Sequence, residues 1–119
     1  MDYELVFWKY KDGIYKNNQR VYTLLSRGEE VYGIEDLPVE DILEDIAEVF
    51  QDWKQVEEDE YEKANSGFFQ FLVTKNFVRF NCYQMDENDM NKFIDIMSEY
   101  DCPLYDPQEN IRFDERNEE

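Results

Sequence analysis

The chain has 119 residues, of which 30 are Asp or Glu and 12 are Lys or Arg, and its formal net charge is -18. A small domain usually carries a net charge of magnitude about 2–8, and a larger excess weakens the compact state through self-repulsion. Nucleic-acid binding is disfavoured because phosphate contacts need clustered basic side chains. An aromatic content of 17 % argues against a wholly disordered chain.

A strand and a short helix are predicted at the start of the chain. Residues 3–10 are dense in aromatic and β-branched side chains and precede the turn residues 11–13, which is typical of a central strand. Asn17 or Asn18 is placed to cap the next helix, because its side-chain oxygen can accept from early backbone N–H groups. Gly28 falls where a left-handed residue commonly ends a helix.

The second predicted helix is the clearest element, and it carries much of the acid. It begins at Pro38, and its apolar residues recur at three- and four-residue spacing, which predicts one buried stripe. Between residues 35 and 62, thirteen Asp or Glu stand against one lysine, Lys54. Acids in the first turn favour the positive end of the helix, but later ones do not. Local helix stability therefore does not explain this acidic face.

A loop and a hairpin are predicted next. The acidic run 57–62 and the turn residues 65–67 favour a flexible loop. Residues 68–74 and 77–83 have the composition of two strands, and the two residues between them suit a tight hairpin.

The last predicted elements are a third helix and a short last strand. Asp86 or Asn88 can cap the helix, and Pro103 ends it because the residue before a proline avoids helical geometry. Residues 104–105 then favour the last strand, to which residues 111–113 can add a little more.

The predicted element order is β-α-α-β-β-α-β. It favours an α+β fold, a two-layer sandwich in which a mostly antiparallel four-stranded sheet carries its helices on one face, as a ferredoxin-like variant. We expect a single domain over residues 1–113 and a frayed polar tail over residues 114–119.

The acidic face of residues 40–62 has three interpretations: a solvated helix face, a docking surface for a basic protein, or a site for a hard cation. Clustered acids can steer association to about 10⁸–10⁹ M⁻¹s⁻¹ at low salt. Carboxylates spaced along a helix can also imitate phosphates, which makes a nuclease cleft a candidate target. Residues 86–91 lack the glycine and the final Glu of a calcium-binding loop.

The sheet offers a second candidate surface. The set predicted to face the helices is Phe69, Phe71, Val73, Val78, Phe80 and Cys82. Period-two alternation then turns outward Phe68, Gln70, Leu72, Phe77, Arg79, Asn81 and Tyr83, with Trp8 and Tyr10 beside them. Such an aromatic face suits partner binding or self-association. The alternatives are that the two faces are reversed, or that the acidic loop covers this one.

We expect no catalytic residues, no cofactor and no metal site. The chain has no histidine for acid–base work, and its four glycines are too scattered to cradle a phosphate. Cys82 and Cys102 are expected to be small buried hydrophobes. No stretch approaches the roughly 20 apolar residues of a membrane span, and we expect a cytoplasmic protein.

Three segments carry a resemblance to a known family. They are residues 3–9 (Tyr-Glu-Leu-Val-Phe-Trp-Lys), 37–39 (Leu-Pro-Val) and 102–108 (Cys-Pro-Leu-Tyr-Asp-Pro-Gln). Together they resemble small acidic bacterial immunity proteins of polymorphic toxin systems, including contact-dependent growth inhibition. The resemblance spans residues 3–113 and implies an antidote that binds one cognate toxin domain, often a nuclease.

The expected function is therefore a non-enzymatic inhibitor of a basic toxin domain, present as a monomer or weak homodimer, with no nucleic-acid or membrane partner. The alternatives are a self-associating structural or adaptor domain that uses the aromatic sheet face, and a metal-dependent hydrolase. The predicted partner-binding residues are Glu44, Asp45, Glu48, Asp52, Trp53, Glu57, Glu58, Asp59, Glu60 and Tyr61. The acids would supply charge complementarity, and Trp53, Tyr61 or the outward aromatics would supply anchors.

Overall fold

The computed structural model of the protein describes residues 2–113, so the predicted polar tail lies outside the described residues. The helices are α1 (Asn18–Ser26), α2 (Val39–Val49) and α3 (Glu87–Ser98). The strands are β1 (Asp2–Phe7), β2 (Lys54–Glu57), β3 (Glu60–Lys63), β4 (Gly67–Val73), β5 (Val78–Tyr83), β6 (Leu104–Asp106) and β7 (Ile111–Arg112). The α+β class is confirmed.

The strands form one sheet in the order β2-β3-β4-β5-β1-β6-β7, and all neighbours are antiparallel. Over residues 2–113 the sheet thus has seven strands, so the prediction of four was wrong in number. The four expected strands are β1, β4, β5 and β6, and they are adjacent in the order β4-β5-β1-β6. Because β5 lies between β1 and β4, the chain makes a split β-α-β connection through α2.

The added hairpin β2–β3 is built from the acidic run that the sequence predicted to be a flexible loop. Tyr61 explains the difference, since it is 6 % exposed and its ring stacks on Phe69 with centroids 5.3 Å apart. Glu60 and Glu62 flank it, so one buried aromatic alternates with two acids, as a half-buried strand requires. Because five of the six residues in the run are acidic, this alternation is weak in the sequence and the strand was not predicted.

The prediction that all helices lie on one face was also wrong. Leu5 and Phe7 of β1 belong to the core cluster beneath α2 and α3, whereas Val6 and Trp8 belong to a second cluster with residues of α1. Successive side chains of a strand point to opposite faces. The helix α1 therefore covers the opposite side of the sheet, where the apolar second face of β1 needs shielding.

The helix caps predicted from the sequence for α1 and α3 are confirmed. The side chain of Asn17 accepts from the backbone N–H of Arg20 at 2.9 Å, and Asp86 accepts from Asp89 at 2.9 Å. Gly28 adopts φ +80° after α1, as a left-handed C-terminal position requires. After α3 the same conformation falls on Asp101, with φ +54°. These caps fix the ends of α3, which forms one wall of the site described next.

Candidate functional site

The helices α2 and α3 pack against each other above the sheet. Ile42 and Ile46 of α2 are fully buried, and the ring of Phe50 stacks on Phe93 of α3 with centroids 5.0 Å apart. This packing leaves the outer flanks of both helices facing solvent on either side of a shallow cleft. The apolar stripe predicted from the sequence thus positions the cleft.

We call this cleft the acidic groove. Its volume is about 320 Å³, and its lining residues are Asp45, Glu48, Val49, Lys92, Asp95, Ile96 and Glu99. Each helix contributes two carboxylates and one aliphatic side chain. Val49 is 38 % exposed although it lies on the apolar stripe of α2. The arrangement offers an apolar floor between two negatively charged walls, and Val49 is the exposed part of that floor because Ile96 is buried.

One end of the acidic groove is organised by Tyr100, which follows α3. Its hydroxyl donates a hydrogen bond to Oδ2 of Asp45 on α2. Burial raises the pKa of Tyr100, as do its bond to Asp45 and the nearby charges of Asp41 and Glu99. Carboxylates from both helices therefore create a negative potential around one hydroxyl, and the bond holds Asp45 in a fixed orientation.

The other end carries a cation. The ammonium of Lys92 lies 2.9 Å from Asp89 and 5.5 Å from the ring centroid of Phe50. Because Asp89 neutralises Lys92 and Lys63 neutralises Asp52, the charges at this end are paired within the chain. The groove is therefore less negative at this end than at the Tyr100 end.

The predicted partner-binding residues separate into several places. Asp45 and Glu48 line the acidic groove, and Glu44 is exposed on the neighbouring surface of α2. Asp52 lies beyond the end of α2 and forms a 2.7 Å ion pair with Lys63, whose hydrogen bond lowers the pKa of Asp52. Asp52 is therefore neutralised within the chain.

The two predicted aromatic anchors are core residues. Trp53 is 6 % exposed, and its ring lies against Phe50 and Phe69, with centroid distances of 5.3 and 5.7 Å. Tyr61 is equally buried. Their placement fastens the hairpin to the body of the protein and leaves little of either ring for a partner.

The remaining predicted acids lie at the tip of the β2–β3 hairpin. Glu57 and Glu60 face each other across the strands, and Glu58 and Asp59 form the turn between them. The carboxylate of Glu60 accepts from Nε2 of Gln70 at 2.9 Å. Like charges directly opposite destabilise a strand pair, so these acids do not hold the hairpin together.

The α3 wall of the groove was not among the predicted partner-binding residues. Asp95 and Glu99 are four residues apart at the end of α3, as Asp45 and Val49 are on α2, so helical spacing places each pair on one face. That spacing is visible in the sequence. Tyr100 was missed for another reason, because its apolar ring suits the core whereas its hydroxyl serves the groove.

The alternation predicted for β4 and β5 is confirmed, because the residues expected to face the helices lie in the core cluster beneath α2 and α3. On the other face, the rings of Phe68 and Tyr83 stack with centroids 4.6 Å apart, and Leu72 is 39 % exposed. Trp8, Tyr10 and Phe77 lie on this predicted face too, but α1 covers that part of it and they are buried. The exposed aromatic surface is therefore smaller than the sequence suggested.

Metal and thiol chemistry find little support in residues 2–113. No three acidic or thiol side chains of this segment converge closely enough to hold a metal ion. Burial raises the pKa of the Cys82 and Cys102 thiols to about 12, so both stay protonated and unreactive near neutral pH. No helix in the same segment has the length and apolarity to cross a bilayer.

Comparison with protein-family models, with curated proteins and with solved structures gives no match. The geometry and charge of the groove are therefore the basis of the function proposed below.

Proposed function

We propose that the protein is a cytoplasmic immunity protein that binds a basic toxin domain and neutralises it. The acidic groove forms the centre of the interface. Glu44 and the hairpin acids Glu57, Glu58, Asp59 and Glu60 extend the negative field around it. A field of one sign over a surface accelerates encounter with a partner of the opposite sign.

The convergence of carboxylates from two separate helices carries this proposal. Neither α2 nor α3 has a basic residue in its last turn. Glu48 and Glu99 therefore add negative charge where the helix dipole is already negative, which is unfavourable for folding. A cationic partner surface would remove this repulsion, and the apolar floor would add contact area.

A nuclease is the target class that this chemistry favours. Carboxylates spaced along helices can imitate the phosphates that a nuclease cleft binds, and such clefts are rich in Lys and Arg. The net charge of -18 fits a partner of strongly positive charge. Masking of the cleft would then prevent contact with nucleic acid.

Co-expression provides the test. The probe is sought as the C-terminal toxin-like domain of a large secreted protein whose gene lies directly beside this one. That domain should kill bacteria when expressed alone and should be harmless when this chain is expressed with it. A variant with Asp45, Glu48, Asp95 and Glu99 all changed to Lys should lose protection while remaining folded by circular dichroism. Killing that continues in the presence of wild-type protein would contradict the proposal.

Self-association through the open sheet face is the second candidate. The exposed Leu72 and the stacked rings of Phe68 and Tyr83 favour it. The net charge opposes it, because two copies repel each other. Sedimentation at physiological salt separates the two functions: a stable dimer that Leu72→Glu dissociates favours self-association, and a monomer favours the immunity function.

A further inference from the structure

The acidic groove has a direction as well as a charge. Tyr100, beyond the end of α3, bonds to Asp45 in the middle of α2, whereas Lys92, near the start of α3, lies over Phe50 at the end of α2. The two helices therefore run antiparallel, with the groove between them. Its Tyr100 end is the more negative, because the charge of Lys92 at the other end is paired with Asp89.

The floor and the walls of the groove require different chemistry from a ligand. Val49 offers aliphatic contact, since it is exposed whereas Ile96 beneath it is buried, and the flanking carboxylates require positive charge on both sides of that contact. An amphipathic helix meets both requirements, because one stripe of its surface is apolar and the adjacent positions can carry Lys or Arg. Ridges of a helix also pack into the groove that two other helices leave between them.

We propose that the acidic groove binds a basic amphipathic helix of the partner protein. The apolar stripe of that helix lies on Val49. Its arginine or lysine side chains face Asp45 and Glu99 at the Tyr100 end, and its less basic end lies near Lys92. This inference rests on the proposed function and adds the structural class and the orientation of the bound segment.

The acids of the groove are spaced to receive such a helix. Asp95 and Glu99 are one helical turn apart on α3, and a helix of the partner repeats its own side chains at the same interval. These carboxylates are too dispersed to enclose a metal ion among residues 2–113. Lysine or arginine side chains spaced one turn apart on a partner helix can each pair with one of these carboxylates.

A synthetic peptide provides the first test. The probe has a leucine stripe flanked by arginines at four-residue spacing, and its control has the same composition but a central proline that breaks the helix. Calorimetric titration at low and physiological salt should show binding of the helical peptide at least about fivefold tighter than the control. Equal affinities, or no binding of either peptide, would overturn the helix proposal.

Matched variants locate the peptide on the protein. Asp95→Asn combined with Glu99→Gln should weaken binding about fivefold, as expected for two partly exposed ion pairs. Asp12→Asn combined with Glu30→Gln removes the same charge from exposed positions outside the groove and should change binding less than about twofold. Equal loss in both double variants would overturn the groove as the site.

Tyr100→Phe tests the orientation of Asp45. The variant keeps the ring and removes the hydroxyl that positions the carboxylate, so affinity should fall about two- to threefold. Tyr83→Phe, on the opposite face of the sheet, is the control and should bind as wild type does. A larger loss from Glu57→Gln with Glu58→Gln than from the groove variants would move the site to the hairpin. That result would overturn this inference and leave the proposed function intact, since co-expression tests the function separately.

Discussion

The acidic groove and the β2–β3 hairpin tip carry similar amounts of negative charge but differ in what that charge can do. At the tip, four acids occupy the consecutive positions 57–60 around one turn. In the groove, four carboxylates from two helices line a common apolar floor. The difference shows that the density of acids along the chain does not predict which acids converge in space, and the proposed function depends on that convergence.

The two regions also differ in how the fold holds them. The hairpin is fastened from below by Trp53 and Tyr61, and the acids nearest to it are engaged within the chain, Asp52 by Lys63 and Glu60 by Gln70. Of the four groove carboxylates in residues 2–113, only that of Asp45 has a described bond, from Tyr100. The hairpin is therefore an extension of the sheet, whereas the proposed function assigns the groove carboxylates to an external cation.

The strongest test of this contrast concerns Trp53. Trp53→Ala should lower the free energy of unfolding by about 3–5 kcal/mol, because it removes a large buried ring and leaves a cavity between Phe50 and Phe69. Urea denaturation measures the change. Tyr32→Ala is the control and should have an effect within about 0.5 kcal/mol, since Tyr32 is 79 % exposed. A stable Trp53→Ala variant that loses partner binding would restore Trp53 as an interface anchor.

The fold was predictable wherever one physical pattern acted alone. The caps at Asn17 and Asp86, the glycine after α1 and the two-residue link between β4 and β5 were all predicted from local chemistry. The hairpin β2–β3 was not, because a single buried tyrosine among five acids gives a weak alternation. The position of α1 depended on which face of β1 needed cover, and the apolar character of both faces left that open.

The second-largest expected effect is the loss of stability when the bond between Tyr100 and Asp45 is removed, and it should depend on pH in the alkaline range. Tyr100→Phe should reduce stability by about 1–2 kcal/mol at neutral pH through loss of the bond to Asp45. Because folding raises the pKa of Tyr100 above its ordinary value of 10.0, the contribution of the hydroxyl is complete below pH 10 and declines as pH rises further. The difference between wild type and variant should therefore shrink above pH 10. A constant difference from pH 8 to 11 would contradict the arrangement.

The smallest expected effect lies in the hairpin. Glu57→Lys places a lysine opposite Glu60, so a repulsive cross-strand pair becomes an attractive one and stability should rise by about 0.2–1 kcal/mol. Glu58→Lys makes the same change in charge at the turn, where no strand residue faces it, and should stabilise less. Thermal unfolding compares the two variants. Equal gains would mean that net charge alone, rather than the pairing of Glu57 with Glu60, sets the effect.

The candidate site was predictable only on its α2 side. The acids Asp45 and Glu48 stood out because they lie in a long acidic run. Asp95 and Glu99 lie in a mixed segment, and their importance comes from the antiparallel packing of α3 on α2. The sequence shows which residues share one helix face, but the partner of that face depends on tertiary contacts between distant parts of the chain.

The most direct measurement of the central claim is the association rate of the protein with its basic partner domain as a function of ionic strength. A variant carrying Glu48→Lys and Asp95→Lys should associate about tenfold more slowly than wild type at low salt, and its rate should depend less on salt. A variant whose association rate and salt dependence match those of wild type would show that the carboxylates of the groove do not serve the partner.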